Sequence, residues 1–98
     1  MPIVIDASAQ AVVLQDQLVK SVQAHLDAKA KTRGYDNIIS ASSYAGYANP
    51  FQAEGQVFLK WRGDVWAYCY RELAKVSAGT RIAPTESQLI AELPILIL

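Results

Sequence analysis

The sequence predicts an all-α fold: a small bundle of three principal helices, a short fourth C-terminal helix, and a short extended segment at the N-terminus. Two observations carry most of this. The stretch from Asn49-Pro50 to Ala78-Gly79 reads as one long helix holding Trp61, Trp66, Tyr68, Tyr70, Phe51 and Phe58, hence both tryptophans and both phenylalanines of the chain. A second long stretch, ahead of Gly34, has its apolar residues at helical spacing and its charges on the other side.

Met1–Ile5 is an apolar lead, read as a strand fragment or a strap over the core. Asp6 or Ser8 offers an N-cap for a first helix running to about Thr32. On a wheel at 100° per residue, Val12, Leu14, Leu18, Val19, Val22 and Leu26 share an arc of roughly 160°, the width of a core-facing side. Asp16 with Lys20 and Asp27 with Lys31 fall at i,i+4 on the opposite side, acid first, the favourable order for exposed pairs. Gly34 stops the helix, since a left-handed residue there satisfies the last carbonyls and glycine adopts it cheaply.

Asp36 is placed to cap a second, shorter helix through Ile38, Ile39, Ala41, Ser42 and Ala45, ending near Gly46, with small residues that let another helix approach closely. Asn49-Pro50 is the next start signal, Asn as N-cap and Pro at the first helical position, where its missing N–H costs nothing. The third helix follows for about 28 residues, roughly 42 Å at 1.5 Å per residue. Its apolar side spans about 180°, wide enough to pack on more than one neighbour or to leave surface for a partner. Gly55 lies inside that arc and marks a close backbone approach; Gly63 lies outside it, a place for a kink. After Gly79, Thr85 and Gln88 fit a capping box for a helix to about Leu93, stopped by Pro94, and Ile95-Leu96-Ile97-Leu98 forms an apolar tail.

Composition bounds the function. Ninety-eight residues, 52% of them apolar or aromatic, make a single helical domain over residues 1–98 that needs no disulfide or metal to fold. Nine basic residues balance nine acidic ones, which removes the electrostatic footprint of a nucleic-acid or anionic-membrane binder. The single Cys69 has no internal partner and fits a reducing, intracellular compartment. The N-terminus lacks the basic-then-apolar pattern of a signal peptide, and no run is long enough to span a membrane.

Catalytic patterns are absent. One His and one Cys fall short of the three or four ligands of a zinc site, and the glycines form no phosphate loop, so no cofactor is expected. His25 sits at the edge of the first helix's apolar arc with no acid beside it in sequence. Cys69 lies inside the third helix's arc, where burial raises a thiol pKa and makes it inert. An enzyme would require His25, Arg62 and an acid to converge in a pocket.

Three features have a structural and a binding reading. Arg62 falls within the apolar arc, where a buried guanidinium must be paired; loop carbonyls or a carboxylate such as Asp36 would satisfy it, and so would a partner protein. Arg62-Gly63-Asp64 spells an integrin-binding tripeptide, but that motif works from an exposed loop and this copy is mid-helix. Tyr44, Tyr47, Tyr68 and Tyr70 serve either as core and rim packing or as a recognition patch, since tyrosine offers rigid area with a polar handle. The candidate partner-binding residues are therefore Tyr44, Tyr47, Arg62, Trp66, Tyr70, Ile95, Leu96, Ile97 and Leu98.

The run from Thr32-Arg33-Gly34-Tyr35-Asp36-Asn37 through Ser43-Tyr44-Ala45, with Asn49-Pro50, Ala53-Glu54-Gly55-Gln56, Trp61-Arg62, Val65-Trp66-Ala67-Tyr68-Cys69-Tyr70, Ala78-Gly79-Thr80-Arg81 and Glu92-Leu93-Pro94, resembles a family of small, mostly uncharacterised bacteriophage proteins encoded among tail and tail-fibre genes. The resemblance covers Val19 to Pro94. It departs from the family pattern at Gly63, which separates Arg62 from Asp64, and at the Ile-Leu-Ile-Leu tail. It implies a part in tail or tail-fibre structure or assembly, in the host cytoplasm during infection or in the virion tail, and it carries no catalytic residues. The expected function is non-enzymatic binding of a tail or tail-fibre component, with self-association as a further use of the surplus apolar surface. The rival expectation is a phage-encoded modulator that binds and inhibits a host protein.

Overall fold

The computed structural model describes residues 7–98, with side chains from Asp16 onward. The Met1–Ile5 segment, the Asp6 or Ser8 cap, and the wheel positions Val12 and Leu14 lie outside the described residues. The fold is all-α: α1 (Ala7–Thr32), α2 (Ile38–Ser43), α3 (Gln52–Ser77) and α4 (Glu86–Glu92), with a 3₁₀ turn over Tyr44–Gly46 between α2 and α3. Among the described residues there is no strand.

α1 and α3 pack antiparallel. Arg33 at the end of α1 pairs with Glu54 at the start of α3, and the His25 and Trp61 rings lie 5.8 Å apart. Two turns further along, Leu18 and Cys69 line one cleft. The seam is apolar: Leu18, Val22, Leu26 and Ala30 meet Phe58, Trp61 and Val65, and α2 adds Ile38 and Ala41 at one end while Leu89 and Leu93 close the core from the α4 side. Each large side chain so buried is worth about 1.5–3 kcal/mol. At residues 18 to 26 the apolar arc read on the first helix is the buried one, except that Val19 stands at its exposed edge.

Helix ends follow local chemistry, with corrections to the start sites. Gly34 (φ +89°) and Gly79 (φ +77°) occupy left-handed positions just past α1 and α3. At each, the next two N–H groups fold back on the last turn: Gly34 N to Lys31 O and Tyr35 N to Ala30 O, then Gly79 N to Val76 O and Thr80 N to Lys75 O. Asn37, not Asp36, caps α2, its side chain accepting from Ser40 N at 2.8 Å. A second donor is satisfied from outside the segment, because Asp27 of α1 accepts Ile38 N at 3.0 Å. Asp27 is thus half-buried and forms no ion pair with Lys31, nor Asp16 with Lys20; the i,i+4 pair that forms is Lys60–Asp64 at 2.6 Å.

Asn49 also acts one step earlier than the sequence suggests. Its Oδ1 accepts Phe51 N at 2.8 Å while its Nδ2 donates to the carbonyls of Tyr44 and Tyr47. It therefore locks a turn, Pro50 and Phe51 stay outside the helix, and α3 begins at Gln52 with 26 residues. α3 continues as helix through Gly63. The close approach expected at Gly55 is present: a Cβ there would stand 2.9 Å from Ala45 N and 3.0 Å from Ala41 O. The Thr85–Gln88 capping box of α4 forms in both directions, at 3.1 and 2.9 Å.

Candidate functional site

The candidate partner-binding residues separate into three places. Tyr44 and Tyr47 belong to the end of the bundle where α2 passes into α3. Tyr44 is half-buried, edge-on to Phe51 at 5.4 Å and 5.8 Å from Tyr35, so it serves packing. Tyr47 and Phe51 are exposed beside it.

Arg62, Trp66 and Tyr70 lie on one flank of α3. On this flank α2 lies over the start of the helix at Gly55; beyond it Leu59, Gly63, Ala67, Tyr70 and Ala74 are exposed among the described residues. Trp66, Cys69, Tyr70 and Leu73 line an apolar cleft with Leu18, Val19 and Val22 of α1 and Leu89 of α4. The Trp66 and Tyr70 rings stand 6.3 Å apart. At 100° per residue, an arc of about 120° carries Leu59, Gly63, Trp66, Ala67, Tyr70, Leu73, Ala74 and Ser77 without one charged residue. The exposed charges Lys60, Arg71, Asp64 and Lys75 begin just beyond its Ala67 edge. Arg62 borders the strip. It forms no ion pair with Asp36 or any other carboxylate among the described residues, and its Nε is buried without a hydrogen-bond partner.

Ile95–Leu98 lies on the other flank of α3. Leu96 turns inward and packs against the core. Ile95 and Ile97 remain 83% and 78% exposed, bordering a cleft with Val57, Lys60, Trp61, Asp64 and Pro94. The tail is therefore partly core and partly surface.

Polar chemistry is concentrated where α3, the loop after it and α4 meet, a cluster that sequence reading missed because its members are scattered through the last third of the chain. Arg81 donates to Glu72 Oε1 at 2.6 Å and to both Glu92 oxygens at 2.9 and 2.7 Å, Lys75 Nζ lies 2.7 Å from Glu72 Oε2, and Tyr68 OH donates to Glu92 Oε1 at 2.6 Å. The Lys75 ammonium first, and Arg81 after it, hold Glu72 below the usual carboxylate value; Tyr68 and then Arg81 do the same for Glu92. These groups satisfy one another and act as a clasp.

Cys69 and His25 line different clefts. Burial pushes the Cys69 thiol up to about 11, which leaves it protonated near neutrality. Burial, with Lys29 nearby, lowers His25 below 6.5, and its ring faces Trp61 across a cleft of Ile90, Leu93 and Pro94. His25, Arg62 and a carboxylate do not share a pocket. No group of three or more potential metal ligands occurs among the described residues, and no described helix is long and apolar enough to cross a membrane. Asp64 of the Arg62-Gly63-Asp64 triplet is engaged by Lys60 on a continuous helix.

Comparison with protein families, with characterised proteins and with solved structures finds no match.

Proposed function

We propose that the chain is a non-enzymatic interaction protein that binds a bacteriophage tail or tail-fibre component, as a small virion part or as an assembly factor. The carrying observation is the exposure of Ile95 and Ile97 beside the Trp61–Pro94 cleft, on a protein whose core is already closed by Leu89, Leu93 and Leu96. Isolated apolar side chains on a surface are ordinary, but two large ones beside an open cleft give a partner an anchor. The mutual satisfaction of Arg81, Glu72, Glu92 and Lys75 and the protonated state of Cys69 leave binding as the chemistry best served. The partner class comes from the resemblance of Val19–Pro94 to the phage tail-gene family.

Two measurements test this together: mass spectrometry of purified virions, and capture from infected cells with the wild-type chain and with an Ile95→Ser/Ile97→Ser variant. Recovery of the chain in virions, or capture of a tail or tail-fibre protein by the wild type but not the variant, is the expected result. Absence from virions together with capture of a host protein alone would replace this reading with that of a host modulator.

A further inference from the structure

We infer that the open flank of α3 is a two-fold interface between copies of this chain, pairing α3 antiparallel with α3 of the second copy and placing Arg62 of each against Asp16 of the other. This flank is opposite the Ile95–Ile97 cleft, so the inference stands independently of the tail-component reading.

The occupant follows from charge, register and area. Along α3 the strip from Leu59 to Ser77 is uncharged, and Gly63, Ala67 and Ala74 on its outer edge let a helix backbone come close, with nothing within 4 Å of a Cβ built on Gly63. Val19, Leu59 and Tyr70 on this flank are exposed. At its border Arg62 is half-buried and makes no ion pair among the described residues, so its terminal guanidinium nitrogens are available to a carboxylate, the natural complement of such a group. Asp16 supplies one. It is exposed, makes no ion pair among the described residues, and falls on the same side of α1 as Asp27, the side that meets α2.

Register brings the two together. The α1–α3 pairing that sets Arg33 beside Glu54 and His25 beside Trp61 places Asp16 level with Arg71. A two-fold axis crossing α3 between Trp66 and Ala67 carries Arg62 of one copy to that same level on the other, where Asp16 stands on the adjoining helix. The axis also sends the two α2 segments to opposite ends, so neither blocks the contact. The strip is about 27 Å long at 1.5 Å per residue, and about 20 Å wide once the α1 edge roughly 9 Å away is included. A pair of such faces hides on the order of 1,000 Å², the lower bound for a specific interface and the range of reversible dimers.

Sedimentation equilibrium of the full chain from about 10 µM to 1 mM reads the outcome, with far-UV circular dichroism to confirm that each variant folds. The expected result is a concentration-dependent dimer. Arg62→Glu and Asp16→Arg should each weaken it about tenfold or more, and the double variant should return it to within about threefold of wild type. Ala67→Arg, a substitution on the exposed edge that leaves the core untouched, should abolish the dimer with the melting temperature unchanged, and it decides the matter if Arg62→Glu fails to fold. A wild-type monomer at every concentration, a double variant no better than the singles, or a dimer that survives Ala67→Arg would each overturn the inference.

Discussion

The indole Nε1–H of Trp61 donates to the carbonyl oxygen of Pro94 at 2.7 Å, tying the middle of α3 to the chain just past α4, thirty-three residues away in sequence. One side chain thus serves two purposes. Its ring fills the seam between Phe58 and His25, and its single polar atom bonds the Pro94 carbonyl, two residues past the end of α4.

Trp61→Ala should therefore cost about 3–5 kcal/mol, the range for truncating a large core aromatic, and Trp61→Phe should lose the hydrogen bond at a cost nearer 1 kcal/mol. Urea denaturation followed by circular dichroism measures both. A Trp61→Ala protein of wild-type stability would contradict the 4% exposure of this residue.

The two glycines inside α3 should respond to alanine with opposite signs. In a helix interior alanine is favoured by about 1 kcal/mol. At Gly63 the space is open, so Gly63→Ala should stabilise by up to that amount. At Gly55 the new methyl would press on the backbone of Ala41, Tyr44 and Ala45, atoms that move only if α2 and the 3₁₀ turn move as units. Overpacking of this kind costs about 1–3 kcal/mol, so Gly55→Ala should lower the melting temperature while Gly63→Ala raises it. Equal shifts from the two would mean that α2 is not held against α3.

The acid limb of stability should depend on the Arg81 clasp. Glu72 and Glu92 are both held below the usual 4.5 in the folded protein, so near that pH the unfolded chain binds more protons than the folded one. Their contribution is present above about pH 4.5 and is lost as pH falls through the lowered folded values. Arg81→Gln should destabilise at pH 7 and flatten the fall in melting temperature below pH 5. An unchanged acid slope in Arg81→Gln would show that Lys75 and Tyr68 alone keep the carboxylates ionised.

The helices and the central place of α3 were legible because they rest on local rules: period, caps and glycine stops act over four or five residues. Gly34, Gly79 and the Thr85–Gln88 box are of this kind, and so is Gly55, whose position inside an apolar arc has one common cause. What escaped involved partners distant in sequence. Asp27 reads as a surface charge, yet it caps α2 from α1, because the fold brings an unbonded N–H to it. The cap of α2 is Asn37 and not its neighbour Asp36, because the helix begins at Ile38, one residue later than an Asp36 cap would set it. For the candidate site, sequence identified side chains that do lie at surfaces, such as Tyr47, Tyr70, Ile95 and Ile97. It did not say where each lies relative to the others, because a wheel assigns a face to each helix but not which neighbour covers it. That the Pro94–Ile97 segment borders one flank of α3 and leaves the Trp66–Tyr70 flank to α1 and Leu89 is a tertiary fact.

The same division gives the tail residues separable roles, and this is where a single experiment tells most. Leu96 packs on the core, whereas Ile95 and Ile97 stand outward. Leu96→Ser should cost about 1 kcal/mol or more, a part of the roughly 1.5–3 kcal/mol that a fully buried aliphatic side chain is worth, since Leu96 is half-buried, and should lower the melting temperature accordingly. Ile95→Ser/Ile97→Ser should leave the melting temperature within about 1 °C, since surface substitutions usually stay within about 0.5 kcal/mol, while removing capture of the tail component. Deleting Ile95–Leu98 should then do both at once. If the paired Ile95/Ile97 change lowers the melting temperature as much as Leu96→Ser does, the outward residues are structural after all, and the Trp61–Pro94 cleft is not where the partner binds.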